Sequence, residues 1–219
     1  HGGANQNLGL TEYNEGFYWY KDLWDDARYY FGRSGSGKIA GAPEQCTWLE
    51  RSAPGVCSGS SRAVYGVPAT LLRFILDRYG PTYSGGEASL MRDLTNSDYT
   101  GYENLTRTTA ASSYRYIQTL FGLNLYSDGR AEVTQGTWTS GFTYFDYTAI
   151  GLSYSEESRL QPYTSSSAAP TGTVSVRGGS TAYLEWSPPT SHEPTSIRIR
   201  TPDGDELPST MGMWIFRIG

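Results

Sequence analysis

The stretch Val67-Pro-Ala-Thr-Leu-Leu-Arg-Phe-Ile-Leu-Asp-Arg-Tyr79 has the clearest secondary-structure pattern in this sequence. Pro68 is tolerated in a first helical turn, where its missing N–H would have no partner within the helix. Gly80–Pro81 would stop such a helix. The pattern predicts a helix over residues 67–79, with a core-facing stripe at the three- and four-residue spacing of an amphipathic helix: Val67, Leu71, Phe74 and Ile75.

Upstream of this stretch, residues 17–31 show a second helical pattern. Charged residues fall on one face, and bulky apolar residues recur at steps of three and four on the other: Phe17, Tyr20, Trp24, Ala27 and Phe31. Thr11 is placed to cap the start of this helix, and Gly32 is placed to end it. The glycine- and serine-rich stretch Gly32–Gly41 is then expected to be a flexible connection.

Two further helices are predicted before residue 130. One covers Glu87–Leu94, with three side chains facing inward: Leu90, Met91 and Leu94. The other starts after Ser112 or Ser113 as its cap and ends at Gly122. Its predicted buried residues are Tyr116, Ile117, Leu120 and Phe121.

Beyond Gly129 aromatic residues alternate with Ser and Thr, which is typical of extended chain. Residues 137–147 and 149–154 show this alternation, and the run Ser165–Pro170 resembles a linker. Turns at Gly178–Gly179 and Pro202–Gly204 and a loop at Pro188–Pro194 then separate four short strands: Thr173–Val176, Ala182–Trp186, Ile197–Arg200 and Met213–Ile218. The predicted fold class is α+β, with a helical subdomain at 1–130, an extended aromatic connector at 131–170 and a small antiparallel β module at 171–219.

The charge balance argues against several classes of partner. The chain has 17 Lys and Arg against 22 Asp and Glu, a net charge of −5, and no cluster of basic residues. Polyanions are held by such clusters, so no nucleic acid and no anionic membrane surface is expected as a partner. No apolar run approaches the ~20 residues of a membrane span.

The cysteines indicate an exported protein. Cys46 and Cys57 are the only two, and they enclose a short loop containing Pro and Gly. A disulfide there would contribute ~3 kcal/mol in the chain-entropy model and would persist only outside a reducing cytosol. The alternatives are two buried thiols or half of a metal site, although the spacing is too long for a Cys-x-x-Cys knuckle. We therefore predict a secreted, extracellular location.

Most motifs of enzyme chemistry are missing from this sequence. His192 lies in a Pro-rich loop, and no Gly-x-Ser-x-Gly elbow supplies a serine nucleophile for a triad. The glycine-rich Gly32–Lys38 lacks the ending of a phosphate-binding loop. Asp25–Asp26 and Glu156–Glu157 are adjacent acids. Neighbours diverge by about 100° on a helix, so solvated charges are expected here rather than the carboxylate pair of a glycosidase.

Asn14-Glu15-Gly16-Phe17 is the most suggestive tetrapeptide. It lies at the head of the first predicted helix, where a carboxylate could be held beside a metal ion. The simpler explanation is an acidic residue favoured at a helix N-terminus by the helix dipole.

The tetrapeptide resembles the Asn-Glu-Gly-Phe element of zinc peptidases of the gluzincin type. The resemblance implies that Glu15 is the third protein ligand of zinc, beside two histidines of a His-Glu-x-x-His helix. Diffuse core patterns are also similar to the downstream half of secreted bacterial metallopeptidases of the hyicolysin-like type: Tyr65-Gly66, Leu71–Gly80, Ser89–Leu94, Gly101–Leu105 and Gly212–Ile218. In that family a helical subdomain follows the zinc helix, and a small β module ends the chain.

The sequence contains no His-Glu-x-x-His, which leaves Glu15 as the metal-ligand candidate and no catalytic residue. The chain is then expected to be either the carboxy-terminal portion of a processed precursor, still docked to its amino-terminal half, or a noncatalytic relative with a structural role. In both cases zinc would be bound only with the missing half. The chain alone is expected not to hydrolyse peptides.

A second hypothesis uses the first residue of the chain. A mature chain that starts with histidine resembles copper-dependent polysaccharide monooxygenases, in which the terminal amine, His1 and a second histidine, here His192, bind copper. Those enzymes are β-sandwiches, whereas the patterns here predict capped helices.

A third hypothesis is a noncatalytic extracellular protein that is structural, self-assembling or carbohydrate-binding. Eighteen tyrosines and six tryptophans offer many rings that could stack on sugars or on other copies of the chain. The same rings are equally explained as core and strand residues. Asn104-Leu-Thr106 matches the N-glycosylation pattern.

Overall fold

The computed structural model describes the central helices and parts of the chain on either side of them. The described residues are 26–27, 29–31, 33–34, 37–38, 42–47, 62–127, 160, 162–166, 172–187, 198–213 and 215. Within these residues the protein is mostly helical with short paired strands, which is an α+β architecture as predicted. No described helix is both long and apolar enough to span a bilayer.

The secondary-structure elements are numbered in chain order. The helices are α1 (Ala42–Gln45), α2 (Arg62–Tyr79), α3 (Gly86–Thr95), α4 (Gly101–Thr109) and α5 (Tyr114–Ser127). Residues 26, 27, 29 and 30 are also helical. Strands β1 (Arg33–Ser34) and β2 (Gly37–Lys38) form an antiparallel pair, and β3 (Tyr163–Ser165) and β4 (Leu184–Trp186) form a parallel pair.

Helix α2 is central to the core. Nine of its 18 residues are buried, including the four that were predicted: Val67, Leu71, Phe74 and Ile75. The helix begins earlier than predicted because Ala63 and Val64 extend its buried face towards Arg62. Pro68 therefore lies inside the helix, on its exposed side, rather than in the first turn. The helix ends as predicted, with a 3₁₀ turn at Gly80–Thr82.

Helix α5 packs on α2 through aromatic rings. The ring centroids of Phe74 and Phe121 are 5.7 Å apart. Ser113 caps α5 as predicted, because its Oγ accepts a hydrogen bond from the Tyr116 N–H at 3.2 Å. The prediction that the Tyr116 side chain is buried was wrong, since it is 44% exposed. It lies about 100° around the helix from the fully buried Ile117.

Gly122 does not end α5 as predicted but lies buried inside it. A Cβ at this position would lie 3.3 Å from the Thr181 Oγ1 and 3.5 Å from the Tyr183 hydroxyl oxygen. A glycine at position 122 therefore lets Thr181 and Tyr183 pack directly on the backbone of α5. It does not act as a C-terminal cap.

Helices α3 and α4 extend the helical region beyond α2. Leu90 of α3 is fully buried as predicted, but Met91 is exposed, contrary to the prediction. The sequence patterns did not predict α4. The Asn104 Nδ2 of α4 donates to the Leu94 carbonyl at 2.8 Å and so satisfies one of the last carbonyls of α3. Asn104 is the acceptor of the N-glycosylation pattern, and its side chain is therefore part of the contact between α3 and α4.

An ion-pair cluster fixes α3 against α2. The Arg73 guanidinium donates to the Asp77 Oδ1 at 2.6 Å and to both carboxylate oxygens of Glu87 at 2.8 Å. A bidentate bond of this kind restrains both the distance and the angle between the two groups. The hydrogen bonds that Arg73 donates lower the pKa of the Glu87 carboxyl.

The observed strands differ from the predicted antiparallel module. Strand β4 covers the end of the predicted strand 182–186, but it pairs in parallel with β3. Strand β3 includes Ser165, which was predicted to begin a linker. Among the described residues of 172–213, Leu184–Trp186 is the one strand, although the turns at Gly178–Gly179 and Pro202–Gly204 are confirmed. The parallel pairing is a long-range contact that local alternation does not specify.

The Gly32–Gly41 stretch was predicted to be a flexible connection. It contains the antiparallel pair β1–β2, in which Arg33 pairs with Lys38 and Ser34 with Gly37. The predictions for residues 137–147 and 149–154 lie outside the described residues.

Candidate functional site

The residues singled out for metal chemistry, Glu15, His1 and His192, lie outside the described residues. Within the part of the chain that is described, no three or more His, Cys, Asp and Glu side chains are grouped to hold a metal ion. Cys46 is buried, with 1% exposure. Its predicted partner Cys57 is outside the described residues, so the disulfide stays a prediction.

The carboxy-terminal end of the first predicted helix is fixed in the core. Ala27, Tyr30 and Phe31 are 1%, 2% and 4% exposed. The Phe31 N–H donates to the Ala27 carbonyl at 2.9 Å, which is the bond of an α-helix. The Tyr30 ring stacks on Phe121 of α5 with centroids 6.4 Å apart. Ala27 and Phe31, which belong to the apolar face predicted for this helix, are thus both buried.

Helix α2 contacts the backbone of this first segment directly. A Cβ at Gly66 would lie 2.1 Å from the Asp26 carbonyl oxygen, so glycine is required for this approach. The Arg62 Nε donates to the Asp26 Oδ1 at 2.6 Å, and the Arg62 guanidinium lies 5.4 Å from the Tyr29 ring centroid. Asp26 is therefore a partner in a half-buried ion pair and not the solvated charge that was predicted.

Glu44 of α1 is a buried acidic residue among tyrosines. It is 4% exposed. A hydrogen bond between the Tyr163 hydroxyl and Glu44, together with burial, raises the pKa of Tyr163 to about 12. Burial raises the pKa of Tyr30 and of Tyr183 above the ordinary value, and the charge of Glu44 adds to both effects. We refer to these four residues as the Glu44 cluster.

The segment 172–187 binds α1 through the backbone. The Arg177 N–H donates to the Glu44 carbonyl at 2.9 Å, and the Thr181 N–H donates to the Pro43 carbonyl at 3.3 Å. These two backbone hydrogen bonds hold the segment 172–187 against α1, although the two elements are far apart in sequence.

Tyr183 joins the same segment to α5 and to β3. Its hydroxyl donates to the Gly122 carbonyl at 2.9 Å, and its ring stacks on Tyr126 with centroids 6.1 Å apart. Its own carbonyl accepts a hydrogen bond from the Tyr163 N–H at 2.8 Å. One residue therefore connects three elements of the fold.

The Glu44 cluster holds the fold together and offers little chemistry of its own. Phenols whose pKa is raised stay protonated at neutral pH, so they are not nucleophiles there. The Tyr163 hydroxyl is committed to Glu44, and the Tyr183 hydroxyl is committed to Gly122. No sequence motif marks this cluster, because Glu44 is a single acid in the short Ala42–Gln45 segment. Only the fold brings its four members together.

Comparisons of this chain with protein-family models, curated proteins and solved structures found no match.

Proposed function

We propose that this chain is the carboxy-terminal portion, or a noncatalytic relative, of an extracellular zinc metallopeptidase. Glu15 is the metal ligand that the chain contributes, and zinc is bound only together with a His-Glu-x-x-His helix that these residues do not contain. The partner is the amino-terminal half of the same protein or, in the noncatalytic case, other copies of the chain. The organisation into 1–130, an aromatic connector at 131–170 and a β module at 171–219 belongs to the same proposal.

The observation that supports this proposal is the anchored end of the helix predicted to start near Glu15. Tyr30 and Phe31 are buried, and Asp26 is paired with Arg62. A metal ligand must be held within ~0.5 Å of its productive position. About 16 Å of predicted helix separates Glu15 from Asp26, at 1.5 Å per residue, and a helix packed in a core at one end is a rigid support over that distance.

The first experiment uses the isolated chain. Purified protein is tested for zinc content by mass spectrometry and for hydrolysis of casein with and without added zinc. We expect neither stoichiometric zinc nor hydrolysis, because two imidazole ligands and a general base are missing. Zinc-dependent hydrolysis by the isolated chain would contradict the proposal.

The second experiment uses the reading frame upstream of residue 1. We expect it to encode a His-Glu-x-x-His segment, and we expect the longer polypeptide to bind stoichiometric zinc. Glu15→Gln should remove that zinc, whereas Glu103→Gln, a substitution of an exposed carboxylate on α4, should retain it. An upstream frame without this motif would remove the basis for the catalytic form of the proposal.

Two alternatives remain as proposals. A structural or carbohydrate-binding role is favoured by exposed tyrosine rings on the helical region, among them Tyr99 and Tyr102. The copper alternative depends on His1 and His192, and tight copper binding that is lost on changing either residue would support it.

A further inference from the structure

Two tyrosines at the start of α4 are exposed and yet held in place. Tyr102 is 60% exposed and Tyr99 is 43% exposed. The Arg107 guanidinium lies 4.1 Å from the centroid of the Tyr99 ring. The Tyr102 ring centroid lies 6.1 Å from that of Tyr114 on α5. A ring that is already restrained loses little conformational entropy when a ligand stacks on it.

The charge beside these rings is compensated. The Arg107 Nε donates to the Glu103 Oε1 at 3.0 Å, so the cation over Tyr99 is balanced by a carboxylate one turn away. Asp98 directly precedes Tyr99 and adds a negative charge, which disfavours an acidic polymer. The tyrosine hydroxyls and the ion pair supply hydrogen-bonding groups at the ring edges. This chemistry suits an uncharged ligand that carries hydroxyl groups.

The residues that flank the rings in sequence are mostly polar or charged. The exposed ones are Asp98, Thr100, Gly101, Glu103, Ser112, Ser113 and Arg115. A stable protein–protein interface needs about 800 Å² per partner with an apolar centre. Rings set among polar and charged residues are a poor match to that requirement, whereas a sugar ring needs only one aromatic face of its own size.

We propose that the exposed rings of Tyr99 and Tyr102, with the partly buried Tyr114 packed against Tyr102, form a stacking platform for the pyranose rings of an uncharged polysaccharide. The C–H face of one sugar packs on the Tyr99 face that Arg107 leaves free and that of another packs on Tyr102, and sugar hydroxyls bond to the tyrosine hydroxyls and to Glu103. This binding site rests on the carbohydrate-binding alternative, for which it names the residues and the ligand class. It is independent of Glu15 and of zinc, so its failure would leave the metallopeptidase proposal unchanged.

The chain offers matched controls for this proposal. Tyr65 and Tyr116 are 46% and 44% exposed, as much as Tyr99, but neither has a ring or cation contact among the described residues. They test whether exposure alone is sufficient for binding or whether the restrained rings are needed.

The experiment measures binding of the whole chain to insoluble cellulose and chitin, and to the soluble hexasaccharides of each by calorimetry. We expect binding to at least one of the two polymers. Tyr99→Ala and Tyr102→Ala should each weaken binding about fivefold to tenfold, since each removes one stacking face. Tyr102→Phe keeps the ring and should bind within about twofold of wild type. Circular dichroism and the melting temperature confirm that each variant is folded.

Four results would overturn the proposal. The first is a wild-type chain that binds neither polymer. The second is a loss of binding in Tyr65→Ala and Tyr116→Ala as large as in the two platform variants. The third is tighter binding to heparin than to either neutral polymer. The fourth is self-association that Tyr102→Ala abolishes, which would assign the rings to contacts between copies of the chain.

Discussion

The helical region from Arg62 to Ser127 and the segment 172–187 are stabilised in different ways. The helical region buries large apolar side chains, among them Phe74, Ile75, Leu90 and Ile117. In contrast, no residue of the segment 172–187 is fully buried, and directional hydrogen bonds to α1 and α5 hold it. Apolar burial is summed over many contacts, whereas each hydrogen bond contributes only about 1 kcal/mol net. We therefore expect the segment to open while the helical core stays folded.

Removing a central core side chain should have the largest effect. Phe74→Ala leaves a cavity between α2 and α5 and is expected to lower the free energy of unfolding by about 3–5 kcal/mol. Urea unfolding followed by circular dichroism measures this change. Leu184→Ala is the control, because Leu184 is a large apolar residue of β4 that is 63% exposed, and it should change stability by less than about 0.5 kcal/mol. Equal losses of unfolding free energy in the two variants would show that the two regions are not stabilised in different ways.

Gly66→Ala should separate the first helical segment from α2. The new Cβ would meet the Asp26 carbonyl oxygen at 2.1 Å, and the forced shift is expected to cost about 1–3 kcal/mol. Thermal unfolding measures the loss. Gly172→Ala is the matched control, because nothing lies within 4 Å of its added Cβ. A Gly66→Ala protein as stable as the control would show that the two helices are not in this close contact.

Tyr183→Phe should loosen the segment 172–187 without unfolding the helices. It removes the hydrogen bond to the Gly122 carbonyl but keeps the stacked ring, so the expected loss is about 1 kcal/mol. Hydrogen exchange should become faster at the Tyr163 and Arg177 amides and should be unchanged at core amides of α2. Uniformly faster exchange would mean that the two regions open as one unit.

The smallest expected effect is the pH dependence of the contact between Arg73 and Glu87. Hydrogen bonds from Arg73 lower the pKa of the Glu87 carboxyl, so its contribution to stability is complete above its unfolded pKa of about 4.3 and is lost as the pH falls through the folded value. The side chain of Glu87 is 49% exposed, and solvent screening limits the contribution to about 0.5 kcal/mol. Glu87→Gln should therefore be less stable than wild type at pH 6, and the difference should shrink as the pH falls below about 4.3. A difference that does not change with pH would contradict this assignment.

Periodicity was a good guide where one helix face is buried. The predicted face of α2 is correct because Val67, Leu71, Phe74 and Ile75 all contact one core. It failed at Met91 and Tyr116, which border the buried stripe and whose exposure is decided by the neighbouring elements. Local patterns also missed α4, whose sequence Gly-Tyr-Glu-Asn-Leu-Thr-Arg-Thr-Thr has few apolar residues and several of low helix propensity. Contacts with α3 and α5 compensate for that low propensity.

The candidate sites also differ in whether local sequence could reveal them. A short motif could suggest Glu15, because a metal ligand is recognised by residue type and local spacing. No local signal could suggest the Glu44 cluster, because its members lie on α1, on β3, before β1 and beside β4. The stacking platform likewise combines rings that precede α4, lie on α4 and begin α5.

The sequence by itself determined the α+β class, the amphipathic helices and several turns, since these follow from local spacing and from backbone preferences of Gly and Pro. Only the tertiary structure decided why Gly66 and Gly122 are glycines, which tyrosines are buried, and how β3 pairs with β4. The physical reason is that close backbone approach, desolvation of a phenol and parallel strand pairing all depend on groups far apart in the chain, whose distance no local pattern encodes.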